Sequence, residues 1–91
     1  MYNTEKNSIN YNMENKTHKL ILFNDDEHDF LYIIACLIRF CKHDAIQAEQ
    51  CALIAHSNGS VDVASGDFMD VLELHESLSK MNMKTEIAEY A

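Results

Sequence analysis

Six consecutive residues, Asn24-Asp25-Asp26-Glu27-His28-Asp29, place four carboxylates, an amide and an imidazole in one short segment. Asn and Asp side chains bond readily to nearby backbone N–H groups, so the plainest reading is a solvated turn that holds itself together. The same oxygens are also the acceptors that a cation needs. A calcium loop of the D-x-D-x-D-G type is absent, which serves a metal poorly. An ammonium group asks for less: an Asn carbonyl, a carboxylate and one further acceptor satisfy its donors. His56 is a second group of interest, because a neutral imidazole accepts a hydrogen bond from a ligand N–H. Its plainer role is a cation placed to suit the dipole at a helix end. A third feature is a run of small side chains, Ala48, Cys51, Ala52 and Ala55, recurring at i, i+3, i+4 and i+7. Either they let a helix pack closely, or they leave room for an apolar guest beneath His56.

Enzymatic chemistry finds less support. Cys36, Cys41 and Cys51 lie in apolar helical stretches, where thiolate formation is disfavoured. The five histidines and three cysteines show no compact zinc-ligand spacing, so no metal is expected. There is no G-x-S-x-G elbow, and two glycines, Gly59 and Gly66, cannot build a phosphate loop. A small enzyme using His56 with Asp25 would lack a nucleophile, a metal set and an oxyanion hole. A binding protein without cofactor is the expectation.

Composition narrows the partners. A chain of 91 residues with 47% apolar content suits one compact domain. Fifteen acidic against seven basic side chains give a net charge of −8. That argues against nucleic acid as the main partner and against an anionic membrane surface, and favours cationic ligands. Three cysteines without a C-x-x-C pair do not form a disulfide framework. Free thiols buried as apolar filler point to a reducing compartment, the cytoplasm. No apolar leader stands at the N-terminus, and the apolar run from Phe30 to Phe40, interrupted by Arg39, falls short of the roughly 20 residues that span a bilayer.

The elements that must position these residues read as follows. Residues 1–17, with five asparagines and mixed charges, are expected to be a flexible tail, leaving 18–91 as the core domain. Leu20-Ile21-Leu22-Phe23 is a strand that stops at the acidic segment. Phe30 to about Lys42 is a buried helix, with Asp29 either capping it or setting an acid in its first turn. Asp44 with Gln47 forms a capping box for a second helix that runs through His56 and stops near Asn58-Gly59. Ser60 to Ala64 alternates as a strand, Ser65-Gly66 turns the chain, and Asp67 caps a third helix with Val71, Leu74 and Leu78 inward. Met83, Thr85 and Ile87 alternate as a last strand. The order β-α-α-β-α-β is best served by a small three-stranded antiparallel sheet with three helices on one side, an α+β sandwich.

A strand ending in Asn24-Asp25-Asp26, an apolar helix, and a second helix carrying Ala48-Glu49-Gln50-Cys51-Ala52-Leu53-Ile54-Ala55-His56 and closing at Gly59 resemble the ClpS family, adaptors of the ATP-dependent Clp protease. The likeness covers about residues 18–91. It implies a protein that binds the free α-amine and bulky hydrophobic first residue of N-degron substrates. Asn24, Asp25 and His56 would hold the amine, and Phe30, Ile33, Ala52, Ala55 and Met83 would line the side-chain pocket. The implied partner is the N-terminal domain of a Clp-family AAA+ unfoldase, with residues 1–17 in the place of the family's delivery extension; a monomer is expected. Phe30 stands where better-known members carry a gating methionine, which implies a stiffer pocket mouth; Ala52 stands where they carry a larger side chain, which implies either a deeper pocket or one that admits β-branched residues such as Ile or Val. His28 replaces a capping Thr and Asp29 a Pro. The same element order is similar to the C-terminal domain of the ribosomal stalk protein, a non-enzymatic interaction module, but that domain would be expected to show an exposed and often basic face.

Overall fold

A computed structural model describes residues 16–90. The elements run β1 (His18–Phe23), α1 (Phe30–Cys41), α2 (Ala45–Asn58), β2 (Ser60–Gly66), α3 (Phe68–Lys80) and β3 (Thr85–Glu89). The three strands form one antiparallel sheet in the order β2-β1-β3. This is the α+β arrangement expected from the sequence. Of the residues assigned to the tail, only Lys16 and Thr17 lie within the described region. Thr17 is already tied to the sheet, donating to the Gly66 carbonyl and accepting from Tyr90 N–H, each at 3.1 Å.

Local chemistry sets most of the boundaries. Asp44 and Asp67 each cap a helix, their carboxylates accepting from Gln47 N–H at 2.7 Å and Asp70 N–H at 2.8 Å. Helix α1 ends where Lys42 turns left-handed, at φ 59°. Two expectations need correction. Ser65 and Gly66 do not turn the chain; they pair with Lys19 and His18, and β2 runs to Gly66. Met83 is not in the last strand, which starts at Thr85. A turn through Asn82, at φ 63°, comes first, and Met83 N–H bonds to the Leu78 carbonyl at 3.0 Å.

The core lies between the sheet and the helices. Leu20 and Leu22 of the central strand are buried against Leu37 of α1, Ala48 and Ala55 of α2, and Val71 and Leu78 of α3. Central position is what demands such burial, because β1 is hydrogen-bonded on both edges and covered on the helical face. Polar ties lock the layers. Tyr32 Oη–H donates to the Met81 carbonyl at 3.0 Å, joining α1 to the approach to β3. His75 Nδ1 meets Thr85 Oγ1 at 2.7 Å, joining α3 to β3.

Strand β2 carries a bulge. Leu20 faces Ala64 while Ile21 faces Asp62, so Val63 is an extra residue. Its carbonyl accepts from His43 Nε2 at 2.7 Å. A carbonyl cannot donate, so Nε2 carries the proton and Nδ1 is left as a bare lone pair, buried without a partner. His43 therefore clamps the α1–α2 corner onto the bulge. Replacing it should expose this dependence. We expect His43→Ala to lower unfolding free energy by about 2–4 kcal/mol, from an unpaired carbonyl plus a cavity. Urea denaturation measures it; a loss below about 0.5 kcal/mol would show that the bulge is satisfied another way.

Candidate functional site

Two segments far apart in sequence meet at one end of the sheet. Helix α2 closes with Gly59, whose N–H bonds to the Ala55 carbonyl at 2.9 Å and whose φ is +93°. Ser60 then pairs directly with Phe23 at the end of β1. The Gly59 carbonyl accepts from Asn24 N–H at 2.8 Å. That single backbone bond ties the start of the acidic segment to the helix end bearing His56.

The acidic segment folds around Asp25. Its Oδ1 accepts from the backbone N–H of Glu27 at 2.6 Å and of His28 at 3.0 Å, and its Oδ2 faces His28 Nδ1 at 2.5 Å. The Asp25 side chain is only 6% exposed. Burial raises the pKa of this carboxyl, but the bonds from the His28 ring and from the two N–H groups outweigh it and hold the group below its ordinary value. The His28 ring stacks on Tyr32, four residues along, with centroids 4.8 Å apart and planes 8° from parallel. Asp29 occupies the N-cap position of α1, yet its side chain makes no capping bond; its carbonyl accepts from Tyr32 and Ile33 N–H instead.

Between the turn, α1 and α2 lies an open cavity of about 530 Å³. Phe30, Ile33, Ala52 and Ala55 line it, together with Leu22, Phe23 and Leu53, and Asn24, Asp25, Asp26, His28 and His56 supply its polar edge. This is an apolar hollow with a few convergent polar groups, the usual form of a small-ligand site. Ala52 is buried but stands outside the main core cluster. Its methyl faces the hollow, and a longer side chain at this position would fill part of it.

The cysteines sit apart from this cavity. Burial pushes the thiols of Cys36, Cys41 and Cys51 up, Cys41 to about 11 with the neighbouring thiols of Cys51 and Cys36 adding to the effect. They are poor nucleophiles. Among the described residues no group of three or more His, Cys, Asp or Glu is placed to hold a metal ion, and no helix is long and apolar enough to cross a membrane.

The family model described as ATP-dependent Clp protease adaptor protein ClpS matches residues 13–88. The chain belongs to the ClpS family. Among solved structures, that of Agrobacterium tumefaciens ClpS2 bound to L-phenylalaninamide resembles it with a TM-score of 0.71 and 16% identity, covering 82% of this chain and 98% of that one. At that identity the likeness is one of fold. No curated protein matches.

Of the eight site residues expected in this ClpS-family chain, seven line the one cavity: Asn24, Asp25, His56, Phe30, Ile33, Ala52 and Ala55. Met83 does not. It is 4% exposed and packed into the main core, and it borders a different hollow, with Phe23, Asn24, Lys84 and Thr85 among its neighbours. The bond to Leu78 fixes its backbone close to α3, so the side chain enters the core beside Leu78. Leu22, Phe23, Asp26, His28 and Leu53 line the cavity without having been singled out as site residues. His28 had a signal in the sequence: Asp25 lies three residues before it and Tyr32 four after, the spacings at which a turn and a helix bring side chains together.

Two outcomes follow from this geometry. The depressed Asp25 pKa means that the folded state binds this proton less readily than the unfolded chain. The stability it contributes is therefore present above the unfolded carboxyl value and is lost as pH falls through the folded value. Asp25→Asn should flatten the acid limb of the stability–pH curve below about pH 4, read by denaturant titration. At Gly59 an added Cβ meets open space, so only the positive φ opposes substitution. Gly59→Ala should cost about 1 kcal/mol or slightly more, and Gly59→Asn clearly less. Equal losses in the two variants would show that conformation is not what selects glycine here.

Proposed function

We propose that the chain is an N-degron adaptor: it binds the free α-amine and bulky hydrophobic first residue of substrate proteins and delivers them to the N-terminal domain of a Clp-family AAA+ unfoldase. The observation that carries this reading is the juxtaposition of an apolar hollow with an edge built from Asn24, Asp25 and His56. An α-ammonium loses its hydration on burial and must find acceptors in its place. Asn24 Oδ1 and a neutral His56 ring offer them, and the ionised Asp25 carboxylate supplies compensating charge. The surrounding Asp26, Glu27 and Asp29 make the entrance attractive to a cationic N-terminus from a distance. Discrimination among first residues then rests on the apolar walls, at about 0.8 kcal/mol per buried methylene.

Three features of the cavity support a particular specificity. Ala52 and Ala55 keep its floor low, and Phe30, 37% exposed, stands at the mouth with a rigid ring. Such a site accepts branching at Cβ that a bulkier floor would reject. A peptide beginning with Ile therefore exceeds one beginning with Ala by about 2 kcal/mol, roughly thirty-fold.

Fluorescence anisotropy tests the whole reading. A labelled peptide beginning with free Phe should bind, and its acetylated form should bind at least about a hundred-fold more weakly, because the charge and two donors are gone. His56→Ala should reduce binding of the free form about ten-fold or more. Failure of peptides beginning with Phe, Tyr, Trp, Leu, Ile and Val to bind would refute the assignment; equal affinity for Ile and Ala would refute only the wide floor.

A further inference from the structure

We propose that His28 is an additional ligand-binding residue of this site, presenting its Nε2 lone pair to the substrate's α-amine, and that Asp25 acts chiefly as the positioning residue that orients the His28 ring. The inference rests on the adaptor reading above and refines which atoms meet the amine. It begins from the Asp25 carboxylate, whose two oxygens are already engaged by Glu27 N–H, His28 N–H and His28 Nδ1. An ionised carboxylate only accepts, so Nδ1 must carry the proton in that pair. In the neutral ring the proton is then absent from Nε2, which becomes an acceptor.

The ring is fixed as well as polarised. One edge is bonded to Asp25, and one face is stacked on Tyr32, whose hydroxyl is itself anchored on the Met81 carbonyl. His28 lines the same cavity as Asn24 and His56. Among the described residues Nε2 has no hydrogen-bond partner, and the one buried side-chain nitrogen or oxygen left unpaired is His43 Nδ1, so His28 Nε2 is not sealed in the protein. A nitrogen lone pair held in place by a carboxylate behind the ring is what an ammonium donor requires, as in a carboxylate–histidine pair at a metal. The amine would then have one acceptor for each of its three N–H groups: Asn24, His56 and His28.

Two substitutions separate this role from simple stapling of the turn. The amide nitrogen of Asn can stand where His Nδ1 stands, so His28→Asn keeps a donor for Asp25 and removes the distal nitrogen. Gln reaches the distal position, so His28→Gln restores an acceptor there and gives up the bond to Asp25. Affinity for the free Phe-first peptide should follow the order wild type, His28→Gln, His28→Asn, with His28→Asn weaker than wild type by about ten-fold or more. The acetylated peptide should show no such order. Melting temperature should follow the opposite order for the two variants, because Asn retains the turn bond. In the wild-type protein, the His28 Nε2 nitrogen resonance should move on addition of the peptide while Nδ1 stays protonated, a readout that holds even if a variant fails to fold. Wild-type binding of the free peptide with His28→Asn binding equally well, or with an unmoved Nε2 resonance, would overturn the assignment of His28 and leave the adaptor reading intact. No binding by the wild type would overturn both.

Discussion

The hydrogen bond from Asn24 N–H to the Gly59 carbonyl, 2.8 Å long, is the constraint on which the site depends. It can form only because Gly59 reverses the chain at positive φ immediately after α2, so that Ser60 enters the sheet opposite Phe23 with no intervening loop. The end of the helix and the end of the central strand are thereby held at backbone distance. His56, three residues before the glycine, and Asn24, the bonded residue itself, arrive at the same edge of the same hollow. A looser connection would leave both side chains on mobile ends, where an acceptor set for an ammonium could not be preorganised.

The acidic turn resolves a conflict of its own. Four carboxylates in one short segment repel one another, and a buried one is costly to ionise. Asp25 escapes by accepting from two backbone N–H groups and from His28, which makes the turn rigid and keeps the charge. The cost of that solution is that its oxygens are committed locally. The neighbouring acids remain exposed, where water screens them and where they shape the long-range field instead. One cluster thus divides between structure and attraction by burial alone.

Helix α2 serves two surfaces with one kind of residue. Ala48 and Ala55 join the main core, where small side chains allow a close approach to the sheet, while Ala52 and Ala55 also border the hollow. The absence of bulk that permits tight packing on one side creates space on the other. The opposite end of the helix pair is secured differently, through His43 and the bulged carbonyl of Val63. These two anchorages, a left-handed glycine at one end and a histidine clamp at the other, hold the two ends of α2 to the sheet.

The sequence by itself determined what depends on near neighbours. The caps at Asp44 and Asp67, the stop at Gly59, the inward stripe of Val71, Leu74 and Leu78, and the apolar run of β1 are local in cause, and so the element order was legible there; the pairing of a helix-end His56 with a strand-end Asn24 came from the family likeness alone. Seven cavity residues followed from that pattern together with the family likeness. Only the tertiary structure decided the rest. Ser65 and Gly66 look like a turn by composition, but antiparallel pairing with His18 and Lys19 draws them into β2. Met83 alternates with Thr85 and Ile87 as a strand residue would, yet a left-handed Asn82 and a bond to Leu78 send it into the core instead of the pocket. His28 carries a local signal in its spacing from Asp25 and Tyr32, but its place on a cavity shared with Ala52 and His56 of α2 comes from the packing of distant segments. Hydrogen-bond partners of buried groups and the side of a sheet on which a side chain lands are set by contacts between distant segments, and no local pattern encodes them.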